Sequence, residues 1–280
     1  MIQCFTHQKM AQFIGAASLA GCFFLPFGAN AATSEWVTSP GGMIRLVAAQ
    51  PKEDGTIPAT LEVKLNPGWK TYWREPGASG IPPQVTLDPA GDVELEKIGF
   101  PVPKTFDDGV VRYIGYDRPV AFPLTLKRVH GSGDVTIRAS VFLGICEDIC
   151  IPIQGELTLA IKQGGFDNPL DGARIDDAVA ALPEAPSADF SVTASRYDAD
   201  KALMHLSVRL PADDKDPELF LAGPSGISFG KPEILPAGDR ALNAAVPVRL
   251  TGKDRELKGK PIVLTVRAQG RSMETTLAFD

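Results

Sequence analysis

Val135-Thr136-Ile137-Arg138-Ala139-Ser140-Val141-Phe142-Leu143-Gly144-Ile145-Cys146-Glu147-Asp148-Ile149-Cys150-Ile151-Pro152 carries both the clearest secondary-structure signal of the chain and its most reactive side chains. Val135, Ile137, Ala139, Val141 and Leu143 recur at every second position. Strand side chains point alternately to two faces, so this spacing predicts a β-strand with one face in a core. Continued, it places Ile145 on the core face and Cys146 on the other. Cys150 precedes Ile151 and Ile153 at the start of a second strand, in which Pro152 limits pairing. The two cysteines then flank a three-residue hairpin tip, Glu147-Asp148-Ile149. Such a tip brings two Cα atoms to roughly the 4.4–6.8 Å that a disulfide needs.

The same period of two recurs outward from this hairpin. Leu61, Val63 and Leu65 alternate with charged residues, as do Val120, Phe122, Leu124 and Leu126, and Leu157, Leu159 and Ile161. Pro123 cannot donate to a ladder and marks its strand as an edge or bulged one. Turn signals separate the runs: Asn66-Pro67-Gly68, Asp88-Pro89-Ala90-Gly91 and Gly131-Ser132-Gly133-Asp134. Residues 34–165 therefore read as a β-sandwich. In 166–187 the pattern changes. Asn168-Pro169 opens a turn, Ile175, Val179 and Leu182 fall at helical spacing, Asp176 and Asp177 suit a helix start, and Pro183 and Pro186 end it. Residues 188–280 return to alternation at Ala202–Leu210, Val246–Leu250 and Ile262–Ala268, which predicts a second, non-catalytic β-sandwich. The fold class expected is all-β, two sandwich domains joined by a short helical linker.

Bulk properties agree. With 280 residues, 44% apolar, the chain is long enough for two domains with cores. The formal charge of −6 and the lack of a Lys/Arg cluster exclude nucleic acid as a natural partner. The N-terminus reads as an export signal. Lys9 is its only charge, an apolar run extends from Met10 to Phe27, and Ala29-Asn30-Ala31 supplies small residues for cleavage. A second reading takes Leu19-Ala20-Gly21-Cys22 as a lipobox with Cys22 lipidated, although apolar Phe23, Phe24 and Leu25 follow it; a retained membrane anchor is a third, interrupted by Pro26 and Gly28. Removal of residues 1–31 discards Cys4 and Cys22, takes Lys9 with it and brings the charge to −7. Cys146 and Cys150 are then the only thiols, in a compartment where disulfides persist.

Three chemistries suit that pair. As a structural disulfide it closes a very small loop, and the stabilisation expected of a disulfide falls with loop size. As a metal site it offers two soft thiolates where zinc takes four ligands, and His130, the nearest histidine, sits in a turn. As an exchange site it is short, at an edge and open to attack, the labile kind. It is not a thioredoxin motif, which has two intervening residues at a helix N-terminus. Glu147 and Asp148 disfavour a thiolate, which suits a disulfide that is attacked by a dedicated partner more than a thiolate that attacks.

Three segments together resemble the periplasmic N-terminal domain of DsbD-type thiol:disulfide interchange proteins, and more closely the suppressor-of-copper-sensitivity branch. They are Cys146–Pro152, the segment Gly68-Trp69-Lys70-Thr71-Tyr72-Trp73-Arg74-Glu75-Pro76-Gly77, and Gly115-Tyr116-Asp117-Arg118-Pro119-Val120. The resemblance covers about residues 35–162, with 188–280 as the extra β-domain of that branch. It implies an immunoglobulin-like fold and a disulfide that takes electrons from a membrane-embedded thiol carrier and hands them to periplasmic thioredoxin-fold proteins, with no cofactor and no metal. By the same resemblance Cys150 is attacked and Cys146 resolves. Phe106, within Pro103–Gly109, is the candidate cap aromatic over the pair or else fills the sandwich end, and Tyr72 matches an aromatic beside the site; Asp107 or Asp108 is a carboxylate suited to proton transfer or forms a solvated turn. Trp69 and Trp73 are expected to pack in the core or at its rim. DsbD-type proteins continue into membrane and thioredoxin-like domains, whereas this chain ends at Asp280 without them. The expected function is a periplasmic thiol:disulfide interchange module, a component of a protein-disulfide reductase system. The rivals are a non-redox envelope scaffold with a structural disulfide, and a protein that handles Cu(I) through its two thiolates.

Overall fold

Strands account for most of the residues that the computed structural model describes, namely 1, 32–77, 80–107, 109, 112–165, 168–251 and 256–279. Residues 2–31, in the stretch read as an export signal and including Cys4 and Cys22, and Asp108 lie outside them. In the first half one sheet runs in the order β1 (Val37–Ser39), β2 (Gly42–Ala48), β3 (Thr56–Leu65), β9 (Val120–Arg128), β6 (Val93–Ile98). A second runs β11 (Cys150–Ile161), β10 (Val135–Cys146), β4 (Lys70–Tyr72), β8 (Arg112–Tyr116), β7 (Lys104–Asp107), and β5 (Gln84–Leu87) pairs with β10 beside β4. Every pairing among these strands is antiparallel. The apolar faces of both sheets meet in one core, in which Leu46, Leu61, Phe122, Ile137, Leu143 and Ile145 are buried. The alternation read from the sequence is the alternation of burial: Val135, Ile137, Ala139, Val141 and Leu143 are buried, while Thr136 and Arg138 are exposed. Each such side chain removed from water contributes roughly 1.5–3 kcal/mol.

The second half has its own core around Phe190, Met204, Leu264 and Met273. One sheet holds β12 (Ser191–Asp198), β13 (Leu203–Arg209), β17 (Ala241–Leu250) and β15 (Ile227–Phe229), with β16 (Glu233–Leu235) also on β17. The other holds β14 (Glu218–Ala222), β18 (Ile262–Ala268) and β19 (Arg271–Leu277). Among the described residues the chain is thus all-β apart from one helix, α1 (Pro169–Ala180). Among the described residues no helix is long and apolar enough to cross a membrane.

Two local expectations change. The helix begins earlier than Asp176 and Asp177 suggested. Asn168 caps it by accepting from the Leu170 N–H, Pro169 occupies the first turn, and Asp171 is the acid there. A capping side chain and a proline without an N–H outrank a charge preference as start signals. Pro123 does not mark an edge, because β9 lies between β3 and β6. Its carbonyl accepts from Gly99 N–H, beyond Ile98, the last residue of β6. The N–H that proline lacks would face the same side, where no ladder is left to break; the register shift lies in β6, at Leu95/Lys97. After α1 the chain is stitched to the second half. Glu184 N donates to Ser272 O, Glu274 N donates to Glu184 O, and Arg271 bridges the carboxylates of Glu184 and Asp189.

β14 is buried on both faces. Leu219 and Leu221 enter the second core, while Phe220 and Ala222 belong to the first. Phe220 meets the fully buried Trp73 edge-on, ring centroids 6.0 Å apart, and Arg74 pairs with Glu274 at 2.8 Å. Trp73 and Arg74 directly follow Tyr72, so the second half grips the chain just past the strand that faces the disulfide. Phe220→Ala is expected to cost about 3–5 kcal/mol, the usual loss for emptying a buried aromatic site. A denaturant titration followed by Trp fluorescence checks this, and an unchanged midpoint would contradict the interface.

Candidate redox site

The site is built on β10, and register does the placing. On one side β10 pairs with β11 from Val135↔Ile161 through Cys146↔Cys150. On the other, Ile145 faces Thr71 and Cys146 faces Lys70. Directly opposed residues of antiparallel strands share a face. Lys70, Cys146 and Cys150 therefore stand in one row across three strands. Cys146 and Cys150 form a disulfide, with Cα atoms 4.1 Å apart. β11 is an edge strand, which explains how Pro152 is accommodated opposite Gly144. Cys146 is buried at 7% exposure, whereas Cys150 is exposed, as are Glu147, Asp148 and Ile149 at the tip. Of the two cysteines, Cys150 is thus the one open to solvent.

Tyr72 lies two residues along β4 from Lys70, on the same face. Its hydroxyl donates toward both sulfurs, 2.8 Å from Cys146 Sγ and 3.2 Å from Cys150 Sγ. This approach depends on Gly144. A Cβ there would stand 3.0 Å from Tyr72 Cε2 and 2.9 Å from Ile81 Cβ, so only glycine lets the ring lie against the strand. Buried Thr71 fixes β4 by donating from Oγ1 to Gly144 O at 2.9 Å. Burial, with Tyr113 beside it, pushes the Tyr72 phenol above its ordinary range, which keeps the proton on the oxygen at neutral pH. The turn before β4 needs Gly68, whose φ is +89° and whose missing side chain leaves room for the Glu147 carboxylate.

Phe106 lies in strand β7, rather than in a loop, half-buried opposite Tyr113 of β8. The two rings stack at 4.9 Å and 14°, and Tyr113 meets Tyr72 edge-on at 5.8 Å. The aromatic layer beside the pair is therefore Phe106–Tyr113–Tyr72, with Tyr72 the member that bonds the sulfurs. Asp107 is exposed, accepts from Gly109 N–H and faces Lys231 Nζ of the second half at 3.8 Å. Trp73 is buried in the core, and Trp69 packs at its edge. His130 is an exposed turn residue. Sequence reasoning missed Lys70, Tyr113 and Gly144. Lys70 and Tyr72 carry a signal, being two apart in one short strand, but their pairing with Cys146 is a long-range register.

Residues 45–162 match the family described as thiol:disulfide interchange protein DsbD, N-terminal, and residues 181–280 match a domain of unknown function, DUF8393. No curated protein matches significantly. Among solved structures, the N-terminal periplasmic domain of ScsB from Proteus mirabilis is similar at 27% identity and a TM-score of 0.71, over 89% of this chain and 100% of that one. The match of residues 45–162 to the DsbD N-terminal family, the likeness to a periplasmic domain over nearly the whole length and the Cys146–Cys150 disulfide together support a thiol:disulfide interchange module.

Proposed function

We propose that the Cys146–Cys150 pair relays electrons between a membrane-embedded thiol carrier and periplasmic thioredoxin-fold proteins, with Cys150 as the attacked sulfur. The observation that carries this reading is the asymmetry of the pair: Cys150 is exposed, Cys146 is buried, and the Tyr72 hydroxyl bonds both sulfurs. A partner thiolate attacks Cys150 Sγ, the Cys146–Cys150 bond breaks, and its electron pair leaves on Cys146. The partner's second thiolate then attacks the mixed disulfide and releases Cys150. The pair gains two electrons and two protons, and the partner leaves as a disulfide. Delivery to an oxidised partner is the reverse, with Cys146 resolving the Cys150 adduct.

Tyr72, by donating to the sulfur that leaves, lowers the cost of the developing thiolate. Phe106 acts with Tyr113 as the cover beside the pair, supported by their stacking. Asp107 faces Lys231, which favours a bracing role over proton transfer. We read residues 34–165 and 188–280 as immunoglobulin-like sandwiches on either side of a linker at 166–187; two sheets with a shared core in each half support this, as do the two family matches. Residues 1–31 we read as the export signal, supported by the apolar run and the periplasmic relative.

Equilibration with glutathione buffers is expected to place the pair among exchange proteins, roughly −120 to −270 mV; a value below about −300 mV would mark a structural bond. In Cys146→Ala, Cys150 is expected to retain a mixed disulfide with a periplasmic thioredoxin-fold protein, read on a non-reducing gel. An adduct on Cys150→Ala alone would reverse the roles. Tyr72→Phe is expected to slow reduction by a small thiol about tenfold, the value of one hydrogen bond to a charged sulfur; an unchanged rate would remove Tyr72 from the chemistry.

A further inference from the structure

The acidic hairpin tip poses an electrostatic problem. Opening the disulfide leaves a thiolate on Cys146, and Glu147 follows it directly in the chain, with Asp148 next. Like charges at that range hold a thiol protonated and make it a poor leaving group. Tyr72 supplies one hydrogen bond but no charge. Among the described residues, the row across the three strands contains a cation placed to answer this: Lys70, in register opposite Cys146.

Paired side chains of this kind start about 4.5–5.5 Å apart at Cβ. The Lys70 ammonium lies 5.6 Å from the Phe106 ring centroid and 5.9 Å from that of Tyr113, so it rests at the aromatic layer that adjoins the sulfurs through Tyr72. The four-carbon stem of lysine moves that charge within a radius of about 6 Å without any backbone change. The other charged groups around the pair have separate positions. The Glu147 carboxylate lies at Gly68 in the turn before β4, Asp107 faces Lys231, and Asp148 is exposed at the tip. Lys70 thus brings a positive charge into register with the sulfur that must carry the negative one.

We propose that Lys70 is a positioning residue of the exchange reaction, its ammonium stabilising the thiolate that leaves on Cys146 when Cys150 is attacked. The proposal rests on the relay reading of the same site. It adds no reactant: the electron pair of the broken S–S bond goes to Cys146 Sγ, which Lys70 holds as thiolate and Tyr72 bonds until a proton arrives from solvent. In the reverse direction the same cation keeps Cys146 ionised to attack the Cys150 adduct. Because a stabilised thiolate stabilises the reduced pair, Lys70 also raises its reduction potential.

The test compares wild type, Lys70→Met and Lys70→Arg in the full chain. Cys146 is titrated through thiolate absorbance in a Cys150→Ala background, and the intact disulfide is reduced by glutathione over a range of salt. Lys70→Met is expected to raise the Cys146 titration by about one pH unit, slow reduction severalfold and make the potential more negative, with Lys70→Arg close to wild type. Salt is expected to narrow the gap between Lys70→Met and the other two. If Lys70→Met titrates and exchanges like wild type, the inference fails while the relay stands. If Arg behaves like Met, the lysine serves packing rather than charge, and the inference fails again. If wild type itself does not exchange with glutathione, the relay reading fails and this inference goes with it.

Discussion

The register of β10 against its two neighbours is the constraint on which the site depends. A disulfide across a three-residue tip closes too small a loop to hold its surroundings in place. Its geometry comes from the twelve paired positions that zip β10 to β11 and from the two that join β10 to β4. One residue of slip would turn every side chain of a strand to the other face. Cys146 would enter the core, and Tyr72 would lose the sulfurs. The large apolar residues of β10 prevent that slip, because Ile137, Leu143 and Ile145 are almost fully buried on the opposite face. The core of the first half thus fixes the redox chemistry from below.

The second consequence is the unequal treatment of two sulfurs four residues apart. β11 is an edge strand and β10 is not, so Cys150 faces solvent while Cys146 is enclosed by β4. This asymmetry in exposure comes from sheet order alone, and the proposed roles of the two sulfurs rest on it. Around Cys146 stand the Tyr72 phenol, its pKa raised by burial, and a lysine in register. Gly144 and Gly68 matter because each permits a close approach, of the Tyr72 ring in one case and the Glu147 carboxylate in the other.

The second half enters through the same strand. Trp73 and Arg74, just past Tyr72, are held by Phe220 and Glu274, and Lys231 faces Asp107 at the end of β7. Two of the segments that frame the disulfide therefore bear on the other half of the molecule. The arrangement gives the second β-unit a mechanical relation to the site although, among the described residues, none of its side chains bonds the sulfurs.

Much of this was legible in the residues. Period-two alternation gave the long strands, and the cysteines were placed on either side of the hairpin tip from spacing alone, because strand periodicity is local. Composition and spacing also left the staple and the metal site open, and the family motifs moved the reading toward exchange. What the sequence could not yield was non-local. Pro123 looked like an edge marker because a lone strand does not show where its neighbour ends. The resemblance named Phe106 and Tyr72 beside the pair, but the contact of the Tyr72 hydroxyl with the sulfurs and the stacking of Phe106 on Tyr113 come from the packing of β4, β7 and β8. By itself the sequence determined that there would be strands, a hairpin and a thiol pair. Which sulfur is exposed, which hydroxyl reaches it and which cation stands opposite were decided only by tertiary structure, because strand order and register join residues more than seventy positions apart.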